Sequence, residues 1–390
     1  MPGSKNKYLF FCLVFMSIYI NSIGTAVPQH KIAQSDIVRF MAKAHQMNDA
    51  EKRRLVALYR ASGIRSRHSV LPDFGQSKDF TFFPEDDEME AFPSTRKRME
   101  VYHREAPRLS LAAIQHCLDA QQQVQAKDIT HLICVSCTGM YAPGLDIDII
   151  QGAGIPSHVQ RSCINFMGCY AAFNALKSAY HIIRSEPQAK VLIVCTELCT
   201  LHFQRDKNED NLLSNALFAD GSAAVLLSAE ALERTTQLSL ENFYCDLAPE
   251  GSEEMSWHIS DFGFQMKLSA HVPGIIQKGI RQLTESLFEQ LSDDNKLRQN
   301  QAFADYYAIH PGGKRILKVI EEALDMRAED NAAAYEVLRN YGNMSSPTVL
   351  FVLGHLWQGF DKSDDQKSIL SFAFGPGLTM ESMLLRIHSR

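Results

Sequence analysis

The chain has 390 residues, of which 45% are apolar and 22% are charged, as is usual for a globular protein with a sizeable buried core. Its formal net charge of −6 argues against a nucleic-acid or anionic-membrane partner, because such proteins usually carry a basic excess. The nine cysteines are odd in number and lie mostly within apolar runs, which favours reduced thiols over a disulfide framework.

The amino-terminal residues imitate the start of a secretory signal. Lys5 and Lys7 precede an apolar stretch over 8–15, but no small-residue cleavage site follows, and the run is too short to span a membrane. We interpret 16–23 as the first core strand and 1–15 as a translated leader ahead of Met16. We therefore expect a cytoplasmic protein.

Helix and strand patterns alternate along residues 16–235. Apolar residues at helical spacing predict helices over 35–47, 48–62, 99–124 (with a kink or restart at Pro107), 146–152 and 168–185. Short apolar runs predict buried strands over 131–136, 190–196 and 223–228. Residues 70–95, rich in Pro, Asp, Glu and Phe, are predicted to form a loop.

The pattern restarts near residue 236 and continues to 390. It predicts strands over 239–247, 306–309, 369–374 and 380–387, and helices over 272–291, 313–324 and 346–359. Two halves that each alternate strands and helices, 16–235 and 236–390, indicate an internally duplicated α/β architecture.

Cys169 is a candidate nucleophile. It follows Gly168 at the end of an extended stretch, and the small residues Ala171 and Ala172 then open a helix with room for a bulky thioester. Unpaired N–H groups and the dipole at a helix N-terminus favour a thiolate, so we expect a thiol pKa of roughly 3.5–7.5. The alternative is a small cysteine that only packs at a strand–helix junction.

Two further polar residues follow predicted turns in the second half. His310 ends a buried strand before Pro311 and Gly312, and Asn343 precedes a helix. A cysteine nucleophile needs an imidazole to accept its proton, and an enolate oxygen needs hydrogen-bond donors. Singly, each residue has a structural interpretation, as a backbone-bonded histidine and an asparagine helix cap.

These segments resemble the catalytic signatures of the chalcone synthase-like, or type III, polyketide synthases of the thiolase superfamily. Residues 165–172 match the nucleophile loop, in the form most similar to the bacterial alkylpyrone and alkylresorcinol synthases; 309–313 match the histidine loop and 341–346 the asparagine loop. Residues 372–379 resemble the Gly-Phe-Gly-Pro-Gly loop, with Ala373 in place of its first Gly. The resemblance runs from about 18 to 387 and implies a thiolase-like duplicated α-β-α-β-α layered fold.

The resemblance also implies a mechanism. Cys169 takes an acyl starter from CoA, and malonyl-CoA is decarboxylated to an enolate that His310 and Asn343 stabilise and that attacks the Cys169 thioester. Cyclisation then gives a pyrone or resorcinol. The resemblance implies acyl-CoA and malonyl-CoA as substrates, no metal or redox cofactor, and a homodimer. Ala142 occupies the position from which a methionine reaches the partner's cavity in many relatives.

Several of the family's cavity positions depart from the plant chalcone pattern. Phe218 matches one gatekeeper phenylalanine, whereas Met266 replaces the second; a glycine becomes Trp257, and threonines become Cys137, Cys199 and His202. Trp257 and His202 add bulk that reshapes the floor on which an aromatic intermediate folds, whereas Cys137 and Cys199 favour an apolar pocket for a fatty acyl tail. The alternative for Trp257 is that it only packs in the core. The implied substrate-binding residues are Phe218, Met266, Cys137, Thr138, Glu197, Cys199, His202, Trp257, Ser345, Gly375 and Pro376.

The family's cationic CoA positions match this chain at Arg54 alone. Ala57 and Ala61 occupy the other positions, and Arg60 or Lys267 is expected to compensate for them.

Two alternative functions remain at this point. A ketoacyl-ACP synthase III-like enzyme uses the same three residue types, but the Gly-Pro-Gly loop and Phe218 favour CoA-linked extension. A zinc or thiol-redox protein would explain the ligand-like spacings Cys134-x2-Cys137 and Cys195-x3-Cys199-x2-His202, although no fourth ligand completes the second group.

Overall fold

The computed structural model describes residues 16–84, 92–232, 236–291 and 303–389, and the predicted leader over 1–15 lies outside them. The described part contains the helices α1 (Gln34–Ala44), α2 (Asp49–Ala61), α3 (Thr95–Asp119), α4 (Leu145–Ala153), α5 (Ala171–Ser185), α6 (Glu209–Leu217), α7 (Val272–Glu289), α8 (Lys314–Leu324), α9 (Ala332–Tyr341) and α10 (Thr348–Trp357). Its strands are β1 (Tyr19–Ala26), β2 (His30–Ala33), β3 (Ser66–Ser69), β4 (His131–Ser136), β5 (Gln160–Asn165), β6 (Val191–Leu198), β7 (Asp220–Ser228), β8 (Thr236–Leu247), β9 (Met255–Ser260), β10 (Gly263–Leu268), β11 (Tyr306–Ile309), β12 (Ser368–Gly375) and β13 (Thr379–Ser389).

Nine strands form one mixed sheet in the order β11-β12-β13-β8-β1-β7-β6-β4-β5. In the first half β4 pairs parallel with β6, which pairs antiparallel with β7, which pairs antiparallel with β1. In the second half β11, β12, β13 and β8 repeat this sequence of parallel, antiparallel and antiparallel pairings. Antiparallel pairing of β1 with β8 joins the halves. The predicted α/β duplication is therefore present in the strand topology.

Two buried helices lie between the two halves of the sheet. Helix α5 packs on β4 and β6 from one side and β13 from the other, and α10 packs on β1, β7 and β11. Both helices are rich in apolar residues, as a helix enclosed by two sheet layers requires. Helix α3 covers the outer side of β1, β6 and β7, and α7 covers β8 and β13. The layers therefore follow the predicted order α-β-α-β-α.

The sequence patterns place most of these elements within a few residues. Helix α3 begins at Thr95, before the predicted start at 99, and continues through Pro107 without a restart. Ser94 caps this helix, because its side-chain oxygen accepts a hydrogen bond from the Lys97 N–H at 3.4 Å. Strand β5 was not predicted because most of its residues are exposed and it carries no apolar run. The hairpin of β9 and β10, which also lacks a clean apolar alternation, was likewise missed.

Within the described ranges, no helix combines the length and the apolar character needed to cross a bilayer.

Candidate active site

Cys169 lies in the turn between β5 and α5, two residues before the helix begins. Phe166 and Gly168 both adopt left-handed backbone conformations there, with φ values of +59° and +83°. A Cβ atom on Gly168 would lie 2.5 Å from Cδ of Pro376, so the predicted Gly-Pro-Gly loop packs directly on the nucleophile turn. Gly375 of the same loop has a similar role, because a Cβ there would lie 2.5 Å from the Tyr170 ring.

The thiol of Cys169 is only 6% exposed, and burial raises its pKa to about 11. Hydrogen bonds with Ser345 and Asn343 act in the opposite direction, while the charge of Glu197 adds to the increase. The lowered thiol pKa that was predicted from the helix N-terminus is therefore wrong. Loss of hydration around a thiolate outweighs the helix dipole, because the turn is enclosed by segments from both halves of the chain.

His310 follows β11, and its backbone N–H donates to the Phe372 carbonyl at 2.8 Å. Its imidazole is 1% exposed, and neither ring nitrogen has a hydrogen-bond partner among the described residues. Burial lowers the imidazole pKa to about 3, so the ring is neutral at physiological pH. A buried imidazole with two uncommitted nitrogens is equipped to bind a polar group of a ligand.

Asn343 is held by its backbone and its side chain. Its N–H donates to the Leu217 carbonyl at 2.9 Å, and its Oδ1 accepts from the Ser345 N–H at 2.8 Å. The Nδ2 group donates to the Gly312 carbonyl at 3.3 Å, and Oδ1 lies 4.0 Å from Sγ of Cys169. The amide is therefore fixed beside the thiol by residues on both sides of the site.

Cys169, His310 and Asn343 line one small cavity of about 30 Å³, which we call the catalytic cavity. The structure thus brings together three residues separated by up to 174 positions in the chain. Eight of the predicted substrate-binding residues also line it: Cys137, Thr138, Cys199, Phe218, Trp257, Met266, Ser345 and Pro376.

Glu197 lies behind the catalytic cavity and is fully buried. Its Oε2 accepts from the Cys137 N–H at 2.9 Å and from Oγ1 of Thr138 at 2.8 Å, and its Oε1 accepts from Oγ of Ser346 at 2.7 Å. Burial raises its pKa to about 7 despite these donors. Through these hydrogen bonds the carboxylate holds the end of β4 against the turn that carries Asn343. Glu197 therefore affects the catalytic cavity by positioning these two segments.

Trp257 forms part of the wall of the catalytic cavity, and the ring of His202 packs against it, with 5.6 Å between the ring centroids. The Nε2 of His202 lies 2.7 Å from the Thr138 carbonyl, its Nδ1 accepts from the Phe264 N–H at 2.9 Å, and its ring stacks on that of Phe264 at 4.2 Å. Nε1 of Trp257 donates to the Cys137 carbonyl at 2.7 Å. Both nitrogens of His202 are thus committed to the protein, so His202 has a structural role and lines a neighbouring cavity instead.

That neighbouring cavity, of about 40 Å³, was not predicted from the sequence, and we call it the inner cavity. It meets the catalytic cavity at four shared residues: Cys199, Phe218, Trp257 and Met266. Much of its remaining wall is apolar and comes from Ile32, Ile37, Met41, Phe74 and Phe203. Its walls come from α1, α6, β2, β3, the hairpin of β9 and β10 and the loops after β3, β6 and α6, which no local motif connects.

A groove of about 680 Å³ lies on another side of the catalytic cavity, and we call it the entry groove. The two share Leu268, Gly312 and Ile316. Four cationic residues line the groove: Arg54, Lys207, Lys314 and Arg315. Arg54 is thus one of the lining residues of this groove, whereas Arg60 and Lys267 are not.

Lys314 and Arg315 were missed by the sequence analysis, although both directly follow the histidine loop. Neither makes an ion pair with a described residue, whereas Lys207 lies 3.5 Å from Glu51. Two positively charged side chains at the start of α8 therefore line the groove without being paired to a carboxylate of a described residue.

The cysteines of the proposed zinc site do not form a ligand set. Cys134 packs in the core on one side of the sheet and Cys195 in the core on the other. Within the described ranges, no group of three or more His, Cys, Asp or Glu side chains is arranged to hold a metal ion. The described residues therefore do not support a zinc site at these cysteines.

Comparisons with known proteins agree with this geometry. The profile of the N-terminal domain of chalcone and stilbene synthases matches residues 17–231, and that of the C-terminal domain matches 239–388. The alpha-pyrone synthesis polyketide synthase-like protein Pks18 of Mycobacterium tuberculosis is 29% identical over 379 residues, which cover 95% of this chain and 91% of that protein.

Solved structures show the same fold over nearly the whole chain. The type III polyketide synthase domain of Steely1, a type I/III hybrid from Dictyostelium, superposes with a TM-score of 0.87 at 26% identity, over 95% of this chain and 99% of that domain. The 1,3,6,8-tetrahydroxynaphthalene synthase of Streptomyces coelicolor A3(2) gives a TM-score of 0.83 at 28% identity, over 95% and 100%. The chain belongs to the chalcone and stilbene synthase family, the type III polyketide synthases, which condense malonyl-CoA onto acyl starters.

Proposed function

We propose that Cys169, His310 and Asn343 are the catalytic residues of a polyketide synthase that extends a fatty acyl starter and releases a pyrone or resorcinol. The observation that carries the proposal is their convergence on one buried cavity, where both nitrogens of His310 lack a described protein partner. Cys169 is the nucleophile, His310 the proton carrier and hydrogen-bond donor, and Asn343 a second donor.

Loading of the starter begins from a neutral thiol and a neutral imidazole. An unprotonated nitrogen of His310 accepts the proton of Cys169, and the thiolate attacks the thioester carbonyl of acyl-CoA. The carbon–sulfur bond to CoA then breaks, and the proton returns from His310 to the departing CoA thiolate. No described residue forms a hydrogen bond with either ring nitrogen of His310. The neutral imidazole can therefore carry its one N–H proton on either nitrogen.

Decarboxylation of malonyl-CoA requires donors for the oxygen that becomes negative. The N–H of His310 and Nδ2 of Asn343 line the cavity in which the malonyl thioester carbonyl would lie. The bond to the carboxylate breaks, CO₂ leaves, and the electron pair forms the enolate. The apolar side chains of Phe218 and Met266 favour this loss of the carboxylate charge. The enolate carbon then attacks the carbonyl carbon of the Cys169 thioester, a carbon–carbon bond forms, and the bond to Sγ breaks so that Cys169 leaves as a thiolate.

The inner cavity supports the assignment of a fatty acyl starter. It adjoins the catalytic cavity at Cys199 and Trp257 and continues between apolar side chains. An alkyl tail attached to Cys169 would enter it and exclude water from that surface. Because a volume of about 40 Å³ is much smaller than a lauroyl tail, the flexible side chains of Met41 and Met266 would move aside to admit the chain. The matched region of Pks18, whose name refers to alpha-pyrone synthesis, supports a pyrone product.

The entry groove supports CoA rather than a carrier protein as the acyl donor. A CoA diphosphate needs two or more cations at the groove, and Arg54, Lys314 and Arg315 supply them. The carrier-protein alternative, a ketoacyl-ACP synthase III-like enzyme, predicts activity only with acylated carrier protein.

Three further expectations belong to the same proposal. We propose that the protein is cytoplasmic and forms a homodimer, and that no metal or redox cofactor takes part. Sedimentation equilibrium tests the homodimer, and retention of full activity after dialysis against a chelator tests the absence of a metal.

The decisive experiment incubates the purified protein with labelled malonyl-CoA and a panel of acyl-CoA starters, with Cys169→Ala alongside. Labelled pyrones or resorcinols from the wild type alone, with lauroyl-CoA preferred over 4-coumaroyl-CoA, are expected. Exclusive use of 4-coumaroyl-CoA would contradict the fatty acyl assignment. Activity with acylated carrier protein but with no CoA thioester would contradict the CoA assignment.

A further inference from the structure

Two buried polar atoms on the wall of the inner cavity lack a hydrogen-bond partner among the described residues. They are Nη2 of Arg67 and Oγ of Ser214, and both side chains line this cavity. Arg67 is 4% exposed and Ser214 is 7% exposed, so neither atom is satisfied by bulk water. A buried guanidinium N–H and a buried hydroxyl on side chains that line one cavity, neither with a partner among the described residues, indicate a ligand with a matching polar atom.

The guanidinium of Arg67 is fixed by its other nitrogens. Nε donates to Oε1 of Gln34 at 2.9 Å, and Nη1 donates to the Phe218 carbonyl at 2.5 Å. The side chain cannot turn towards solvent without breaking both bonds. The guanidinium also lies 5.8 Å from the centroid of the Tyr59 ring and interacts with that side chain. Nη2, which has no acceptor among the described residues, is therefore a preorganised donor rather than a mobile surface charge.

The charge balance around Arg67 favours a neutral ligand atom over an anion. Asp220 interacts electrostatically with Arg67 and accepts from the N–H and Oγ1 of Thr200 at 2.8 and 2.7 Å and from the Val70 N–H at 2.8 Å. The cation thus already has a counter-charge inside the fold. A carboxylate in the same cavity would add an uncompensated buried charge, whereas a hydroxyl adds none.

We propose that the inner cavity binds an acyl chain that carries an oxygen substituent, a hydroxyacyl starter whose hydroxyl accepts from Arg67 and donates to Ser214. This inference rests on the proposed entry of the starter's tail into the inner cavity. A hydroxyl fits because it can accept one hydrogen bond and donate another, and Oγ of Ser214 can accept. Each unsatisfied atom then gains a partner, and the part of the chain beside the hydroxyl contacts the apolar side chains of Ile37, Met41 and Phe203.

The test compares lauroyl-CoA with a panel of dodecanoyl-CoA thioesters that each carry one hydroxyl, at successive carbons from C3 to the terminal carbon. We expect one or a few adjacent positions to raise kcat/KM about tenfold over lauroyl-CoA, mainly through KM, because the hydroxyl lies away from the reacting atoms. The ratio of the two kcat/KM values should fall to about one in Ser214→Ala and recover in Ser214→Thr, which keeps the hydroxyl.

The possible results separate the inference from the function on which it rests. Use of lauroyl-CoA with no gain at any hydroxyl position overturns the inference alone and assigns the two polar atoms to an ordered water molecule. A gain that persists in Ser214→Ala also overturns it. Failure of every long-chain starter while 4-coumaroyl-CoA reacts overturns both. A hydroxyl-dependent gain that requires Ser214 supports both.

Discussion

The backbone N–H of Gly168 donates a hydrogen bond to Sγ of Cys137 at 3.0 Å. The sulfur atom therefore holds the turn that carries the nucleophile. The carbonyl of the same cysteine accepts from Nε1 of Trp257, and its N–H donates to Glu197. One residue at the end of β4 thus links the nucleophile turn, the cavity wall and the buried carboxylate.

Cys137→Ala should destabilise the protein and slow acyl loading. The substitution leaves the buried Gly168 N–H without an acceptor, which costs about 1–3 kcal/mol. Urea unfolding measures the loss of stability, and burst-phase release of CoA measures loading. Cys245→Ala is the matched control, because Cys245 is exposed and its removal should change the free energy of unfolding by less than about 0.5 kcal/mol. Equal unfolding free energies for the two variants would contradict the role of the sulfur.

Glu197 should make stability depend on pH. Its pKa is raised from 4.5 to about 7, so the folded protein binds more protons than the unfolded chain across this window. The free energy of unfolding should therefore fall as the pH rises through the window, by about 3 kcal/mol from this group.

Glu197→Gln isolates this contribution. Its amide oxygen can replace Oε2 towards Cys137 and Thr138, while its NH₂ group can donate to Oγ of Ser346, which reverses its role. Other buried groups, including Asp220, titrate in both proteins, so their contributions cancel in the difference in unfolding free energy. The difference in unfolding free energy between wild type and variant should change by about 3 kcal/mol between pH 4.5 and 7 and stay constant above. A difference that does not change with pH would falsify the assignment.

The two half-reactions should separate in active-site variants. Cys169→Ala should retain decarboxylation of malonyl-CoA to acetyl-CoA and make no extended product, because the enolate donors remain. Asn343→Ala should lower decarboxylation about 100-fold through the loss of one donor. Release of labelled CO₂ and mass analysis of the products measure the two steps. Loss of decarboxylation in Cys169→Ala, with a wild-type circular dichroism spectrum, would contradict the division of roles.

The convergence of Cys169, His310 and Asn343 could be predicted because each lies within a local motif that resembles a catalytic signature of the type III polyketide synthases. In the sequence, such a motif is recognised as a glycine-rich turn at a fixed spacing from the functional residue. The strands of the duplicated sheet could be predicted for a similar reason, since a buried strand is a short apolar run whichever strands it pairs with.

The pKa of Cys169 could not be predicted in the same way, because its burial depends on Pro376 and other residues distant in the chain. The inner cavity has the same origin: its walls come from several elements that no spacing rule connects. Arg67 and Ser214 carry no motif, and only their missing partners in three dimensions distinguish them. The edge strand β5 was missed because it lacks the apolar pattern on which strand prediction rests.

Charge on α8 should control the affinity for CoA substrates. Lys314 and Arg315 line the entry groove without an ion-pair partner among the described residues, so removing both side chains should raise KM for malonyl-CoA about tenfold with little change in kcat. The wild-type KM should also rise with KCl concentration, and that dependence should weaken in the double variant. Arg60→Ala, an exposed arginine outside the groove, is the control. An effect of equal size in the control would show that net charge rather than the groove determines KM.

Trp257 should determine which starters the enzyme accepts, because its side chain lines both the catalytic and the inner cavity. Trp257→Ala removes this shared wall and merges the two spaces, so the kcat/KM ratio of 4-coumaroyl-CoA to lauroyl-CoA should rise about tenfold. Trp257→Phe keeps a ring in the wall but loses the hydrogen bond to the Cys137 carbonyl. If volume controls the choice of starter, the alanine variant changes the ratio and the phenylalanine variant does not. Equal changes in both variants would assign the effect to the lost hydrogen bond, and a constant ratio would remove Trp257 from starter selection.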